Sequence, residues 1–169
     1  MSVFFSSDWH LGHKLAADKR GFQHVPEHDW TIISNMETLS KRDKLFLLGD
    51  IAYSMESMEL LSRLRCDIDI VLGNHDRFKS EVYLKWARRV EGMLKYKKFW
   101  VTHCPIHPQE MYRVRANIHG HIHRGAATPD LDWPYFNVNV DFHNYEPVPF
   151  DTIDAWAMSW ERRRSGWMG

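Results

Sequence analysis

Cysteine is nearly missing from this 169-residue chain, which has only Cys66 and Cys104. Two thiols cannot build a disulfide framework, so the fold must rest on burial, and a reducing compartment would keep both reduced. Long apolar runs are missing as well. No stretch approaches the ~20 residues that span a bilayer, and the opening MSVFFSSD lacks the basic start and apolar run of a secretory signal. The expectation is a cytoplasmic protein without membrane contact. Net charge is also lacking, with 22 lysines and arginines against 22 aspartates and glutamates. That balance removes any global attraction to nucleic acid or acidic membranes, so basic contacts must be local. With no repeat, low-complexity tract or Gly/Ser linker, residues 1–169 are expected to form one domain.

What the chain does have is eleven histidines and eight tryptophans. Tryptophans such as Trp86, Trp100, Trp133, Trp156, Trp160 and Trp167 suit packing, while Trp9 could line an entrance. The histidines cluster beside Asp, Gly and Asn, and the apolar periodicity places them. Residues 3–5 read as a short buried strand, followed by a His-rich polar loop to about residue 29 and a one-sided apolar helix over 30–39. Residues 44–48 form a second strand ending at Gly49-Asp50, and 55–64 have helical spacing. A third strand, 68–72, ends in Gly73-Asn74-His75-Asp76. A helix over 80–90 and one or two strands over 95–102 lead to His103, after which Pro105 and Pro108 enforce a loop. Residues 118–122 read as a short strand with alternate histidines, 124–134 as an exposed turn region, and 136–142 as an alternating strand. Residues 150–164 suit a closing amphipathic helix whose Arg162-Arg163-Arg164 end complements the helix dipole. Strand, polar loop and helix in repetition predict an α/β class.

The polar residues that follow each strand repeat a theme: Asp8 and His10, then Asp50, then Asn74, His75 and Asp76, then His103, then His121 and His123. In an α/β sheet the loops beyond the carboxyl ends of the strands converge, so these residues can meet although they span more than a hundred positions. Two aspartates, four histidines and an asparagine are oxygen and nitrogen donors without thiolate, a set suited to Mn, Fe, Zn or Ni. Seven exceed what one ion needs. Two ions ~3.5–4 Å apart with one bridging carboxylate would use them all, an arrangement suited to phosphoryl displacement.

The ordered motifs D-x-H, G-D, G-N-H-D, H and G-H-x-H, from residue 8 to residue 123, resemble the calcineurin-like metallophosphoesterase family, in its small single-domain branch. The resemblance implies a two-layer β-sandwich core flanked by α-helices with a dinuclear metal site at one edge. Carried over motif by motif, Asp8, His10, Asp50 and His123 would hold one ion, and Asp50, Asn74, His103 and His121 the other. The cofactors implied are two divalent metal ions, manganese first, with iron, zinc or nickel as alternatives. A metal-bridging hydroxide would be the nucleophile, and His75 the general acid or charge stabiliser. Gly49, Gly73 and Gly120 would let the backbone turn or approach an ion closely. One departure is visible: protein Ser/Thr phosphatases carry G-D-x-V-D-R-G at the second motif, where this chain has GDIAYS. That argues against the protein phosphatase branch and leaves His75 without the acidic partner found there.

The remaining polar residues divide. Asp76 either orients His75 or caps the next helix. His13 and Arg124 are candidate substrate contacts, whereas Lys14, Arg20 and Arg77 default to surface charge, as Arg124 would if it lacked His123 beside it. His119 reads as a buried, hydrogen-bonded histidine or a partner of a ligand. His24, His28 and His107 read as loop or surface residues. His143 could approach the site or cap a strand. Cys104 adjoins a ligand, but nothing nearby would activate it as a nucleophile. The expected function is phosphoester hydrolysis, with phosphodiesters favoured because an open groove with few cations suits a less charged substrate. The partner is the phosphoester itself, a nucleotide or nucleic-acid end among the candidates, and residues 14–27 would choose among substrates. Two alternatives stand: a phosphomonoesterase acting on small phosphate esters or nucleotides, and a non-catalytic metal-binding scaffold, which would have no use for His75. Oligomeric state has no signature in the sequence.

Overall fold

Apolar side chains alternate along the early strands and load both faces of one sheet. The computed structural model describes residues 1–125 and 133–165, with the side chains of the last helix described to Arg163. β1 (Val3–Ser6), β2 (Lys44–Leu47), β3 (Asp67–Val71) and β4 (Arg89–Glu91) run parallel, and β9 (Val148–Pro149) pairs antiparallel with β1, giving the order β4-β3-β2-β1-β9. On one face Leu45, Leu47, Ile68 and Ile70 pack with Ile32, Ile33 and Met36 of helix α2 (Val25–Met36). On the other face Phe5 stacks on Phe46, ring centroids 4.9 Å apart, and meets the second sheet.

That second sheet has the order β5-β6-β7-β8, from β5 (Met93–Tyr96), β6 (Phe99–Thr102), β7 (Ala116–His119) and β8 (Tyr135–Asn137). β5 and β6 form a hairpin, while β6, β7 and β8 are parallel. Phe99, Val101 and Ile118 share the inter-sheet core with Phe150, Ile153 and Ala157 of helix α5 (Phe150–Ser165). The architecture is therefore mixed α/β, two sheets flanked by helices, as the sequence predicts. No helix among the described residues is long and apolar enough to cross a membrane.

Several elements differ from the sequence reading. The expected loop to residue 29 holds helix α1 (Lys14–Lys19) and the start of α2, whose Pro26 sits at the first turn, where its missing N–H costs nothing. Residues 55–64 split into α3 (Met55–Met58), capped by the Ser54 hydroxyl accepting from Ser57 N, and a 3₁₀ turn, Glu59–Arg63. The helix expected over 80–90 stops as α4 (Ser80–Tyr83), and β4 follows. Charge anchors that strand end: Asp69, fully buried on β3, takes Lys44 Nζ at 2.9 Å, Arg89 Nη2 at 2.8 Å and Arg88 Nε at 3.4 Å. Burial alone would raise the Asp69 carboxyl, yet the three cations hold it below the usual range. β7 ends at His119, so His121 and His123 lie in the loop beyond it, not on an alternating strand. The alternation expected over 136–142 is β8 followed by a 3₁₀ turn, Val140–Phe142. Residues 126–132 of the expected turn region, the Arg164 side chain and Trp167 lie outside the described residues.

Parallel strands place their carboxyl ends together. The loops after β1, β2 and β3 emerge beside those after β6 and β7. Asp8 N donates to Gly49 O at 3.0 Å, Gly120 N to His103 O at 2.8 Å, and Ser7 bridges Asn139.

Candidate metal centre

The loops at this edge bend in ways side chains resist. Asp8, His10, Asp50 and His121 have φ of 60°, 50°, 54° and 67°, the left-handed region that costs a residue with a Cβ. Such strain, repeated at four of the seven expected donors, concentrates where function holds a backbone in place. Close approach needs the glycines. A Cβ on Gly73 would overlap the Asp50 carboxylate, and one on Gly120 would overlap Ser7 Oγ and Asp8 Oδ2. The closeness is to the aspartates themselves, where the sequence suggested an ion. Asp76 does neither of the two things its position suggested. Its carboxylate accepts from the backbone N–H groups of Asp50 (2.9 Å), Ile51 (3.1 Å) and Gly73 (2.8 Å), locking the loop after β2 to the loop after β3.

All seven expected donors come together in two groups that meet at Asp50. In one, His10 Nε2 lies 3.3 Å from His123 Nε2 and 3.7 Å from Asp50 Oδ2, and His123 Nε2 lies 3.6 Å from Asp8 Oδ1. In the other, His103 Nε2 is 3.0 Å from Asn74 Oδ1, 3.2 Å from His121 Nδ1 and 3.5 Å from Asp50 Oδ2. The tautomers follow from the outer contacts. His103 Nδ1 must carry a hydrogen, because it donates to the Leu48 carbonyl at 2.7 Å, and His123 Nδ1 donates to Asp141 Oδ2 at 2.7 Å. Both Nε2 atoms thus face carboxylate oxygen, amide oxygen and another imidazole, the side from which a ring bonded outward through Nδ1 ligates an ion. Carboxylate and amide oxygens gathered with imidazole nitrogens in this way attract positive charge. A divalent ion fits the gap: with bonds of ~2.0–2.2 Å, its neighbouring ligands lie ~3.0–3.5 Å apart. Oxygen and imidazole donors suit Mn, Fe, Zn or Ni. An outer N–H bonded to a carbonyl or carboxylate is also how metal-ligating histidines are oriented.

Electrostatics agree. Burial raises the Asp8 carboxyl above its ordinary value, and it drives the His10 ring well down despite Asp50. Burial would raise Asp50 too, but the His103 contact and the His75 backbone N–H at 2.8 Å bring it below the usual range. Burial would depress His103, yet Asp50 and Asp8 push it up to about 8. Two buried carboxylates and converging imidazoles thus compete for positive charge.

Residues read as surface or loop turn out to brace this centre. Arg20 is buried: Nη2 donates to Asp8 O at 2.7 Å, Nη1 to Trp9 O at 3.0 Å, and Nε to Asp141 Oδ1 at 2.8 Å. Nη1 also donates to His28 Nε2 at 2.8 Å, whose Nδ1 bonds Asp29, and Asp29 accepts from Gly12 N at 2.9 Å. His28 is fully buried and Arg20 is no surface charge. Arg20 and Asp141 stand 121 residues apart in sequence, so no local pattern could have paired them. For Asp141, burial opposes ionisation, but His123 and Arg20 hold it at about 2.

A cavity of about 520 Å³ opens onto this cluster, with His10, His123 and His75 at its lining. His75 is exposed, its ring 5.7 Å from that of His10, and among the described residues no carboxylate bonds it. His13 lines the same cavity and stacks on Tyr53 at 4.1 Å, the rings 4° from parallel. Arg77 lies over Tyr53 at 5.0 Å. Arg124 also lines the cavity, 5.8 Å from the Phe142 ring, whereas Lys14 pairs outward with Asp18. Trp9 is fully buried and donates to Ser6 Oγ, so it lines no entrance. His119 is buried and its Nδ1 donates to Gly120 O at 2.8 Å, burial holding its ring down at about 4. His143 bonds Asn137 O at 2.8 Å and stacks on Phe136, away from the cluster. Cys104 Sγ lies near the ring nitrogens of His103 and His121, and burial and the two aspartates raise its thiol, so it is no activated nucleophile.

A family model for the calcineurin-like phosphoesterase superfamily domain matches residues 1–138. An uncharacterized protein of Methanocaldococcus jannaschii is 29% identical over 168 residues, covering 89% of this chain and 88% of its own. The crystal structure of a protein of unknown function from Aquifex aeolicus is similar with a TM-score of 0.73 and 26% sequence identity, covering 91% of this chain and 98% of its own. An archaeal phosphodiesterase lies further away, with a TM-score of 0.48 and 16% identity over 82% of each chain, a likeness that carries no argument.

Proposed function

The chain belongs to the calcineurin-like phosphoesterase superfamily, as a metal-dependent phosphoester hydrolase, and from that premise we propose that it cleaves phosphodiesters with two divalent ions seated around Asp50. Asp8, His10, Asp50 and His123 would hold one ion and Asp50, Asn74, His103 and His121 the other, with manganese the first choice and iron, zinc or nickel the alternatives. The observation that carries this reading is the convergence of carboxylate, amide and imidazole donor atoms in two groups on either side of the Asp50 carboxylate. When bound, such ions neutralise charge on the phosphoryl oxygens and make water acidic enough to attack near neutral pH.

The chain's own residues supply the rest. Asp76 and the backbone N–H of His75 fix the Asp50 loop, so the shared carboxylate cannot swing away from either group. Arg20 and Asp141 fix the Asp8 carbonyl and the His123 ring. His75 stands at the cavity with a ring unengaged by any carboxylate among the described residues. Its task is to hydrogen-bond the phosphoryl group or to give a proton to the departing oxygen, a contribution worth about 10²–10⁴ in rate.

Room beside the cluster favours a diester. The cavity extends past the histidines along α1 and can take the second ester substituent that a monoester lacks. An exposed His75 whose ring has no hydrogen-bond partner among the described residues also weighs against a scaffold that binds metal without turnover. The test is the manganese-loaded protein assayed on an aryl phosphodiester and the matching monoester. A higher kcat/KM on the diester is expected, with His75→Ala losing turnover while it retains metal. Preference for the monoester would replace the diester reading, and no turnover of either would refute hydrolysis.

A further inference from the structure

The part of the cavity away from the histidines is left unexplained by hydrolysis alone. Leu15 and Ala16 of α1 and the ring of Tyr145 give it an apolar side, and Lys19 and Arg124 add cations. The other charges facing it cancel: Arg20 holds Asp141 at 2.8 Å, and the remaining Asp141 oxygen takes His123. Among the described residues Lys19 and Arg124 have no such partner. Lys19 ends α1 and Arg124 lies 5.8 Å from the Phe142 ring, neither with a carboxylate partner among the described residues. Lys14, on the same helix, shows the ordinary alternative by pairing with Asp18 at 2.8 Å outside the cavity.

Two cations without a carboxylate partner among the described residues, beside an apolar surface in a cavity of about 520 Å³, match a ring-bearing group that carries an anion of its own. A phosphoryl group at the metal cluster would draw on the charge of the ions held there, which leaves these two cations for a second anion. We propose that the substrate is a nucleotide-type phosphodiester bearing a second phosphate, its nucleoside against Leu15, Ala16 and Tyr145 and its second phosphate between Lys19 and Arg124. The proposal rests on the phosphoester hydrolase reading and names the substrate class within it. It also gives residues 14–27 a concrete part, since α1 supplies both the apolar wall and one of the cations.

Calorimetric titration of the manganese-loaded protein with thymidine 5′-monophosphate, thymidine 3′,5′-bisphosphate and propanediol bisphosphate tests it. The nucleoside bisphosphate is expected to bind about tenfold tighter than the monophosphate, one charge-assisted contact being worth that much. The Lys19→Ala, Arg124→Ala double variant should bring the two thymidine ligands to equal affinity. Equal affinities in the unmodified protein, or a preference that survives the double variant, would overturn the assignment of the second phosphate. A propanediol bisphosphate as tight as the nucleoside bisphosphate would overturn the nucleoside wall. Turnover of an aryl diester by the same preparation reports separately on hydrolysis, so failure of one reading is not mistaken for failure of the other.

Discussion

Replacing Asp141 by asparagine isolates the brace behind His123. The carboxylate accepts from His123 Nδ1 at 2.7 Å and from Arg20 Nε at 2.8 Å. An asparagine of the same shape has one acceptor oxygen and one N–H₂ for those two donors. If the oxygen stays with Arg20, the amide N–H faces Nδ1 and drives the ring proton to Nε2, the atom that points at His10 and Asp8. Binding an ion on that side then requires displacing this proton. Partner groups behind ligating histidines are worth about 10–100-fold in metal affinity, or about 1.4–2.7 kcal/mol. Folding suffers as well, because Arg20 is buried and loses its anion. Breaking such a pair outright costs about 3–5 kcal/mol, and asparagine less, since its oxygen can still accept from Nε. Competition against a chromophoric chelator measures the first effect and urea denaturation of the metal-free protein the second. Metal affinity within twofold of the unmodified protein, with the fold intact, would refute the reasoning that Asp141 selects the ligating tautomer of His123.

Other expectations follow from the same contacts. Gly120→Ala forces a Cβ onto Ser7 Oγ and Asp8 Oδ2, so it should lose about 1–3 kcal/mol and part of the bound metal, read by urea denaturation and elemental analysis. Arg20→Met leaves Asp141 buried without its cation and frees the Asp8 and Trp9 carbonyls; a urea midpoint unchanged from the unmodified protein would contradict that role. Asp69 titrates below its unfolded value, so its contribution to stability is present above about pH 4 and is lost as pH falls below that. Asp69→Asn should therefore be less stable at pH 7 and show a shallower decline between pH 4 and pH 2 in pH-dependent urea unfolding.

Much of the centre was legible in the sequence because each donor follows an apolar run that itself reads as a strand. Val3–Ser6, Lys44–Leu47 and Asp67–Val71 announce their own ends, and parallel pairing then brings Asp8, Asp50 and Asn74 to one edge. Sequence and structure part where a local pattern imitates another period or where the partner is remote. His119, His121 and His123 alternate like a strand, yet only the first lies on one. β4 is three residues long, too short for periodicity, and its place depends on Asp69 some twenty residues earlier. Pro26 was a readable helix start that the surrounding histidines obscured. Arg20, His28, Asp76 and Asp141 take their roles from backbone atoms and side chains on other loops, which spacing alone does not reveal.

An anomalous difference map from a crystal of the protein soaked in manganese tests the account most directly. It should show two peaks, one among Asp8, His10 and His123 and one among Asn74, His103 and His121, with the Asp50 carboxylate between them. A single peak, peaks elsewhere, or none in the presence of millimolar manganese would contradict it.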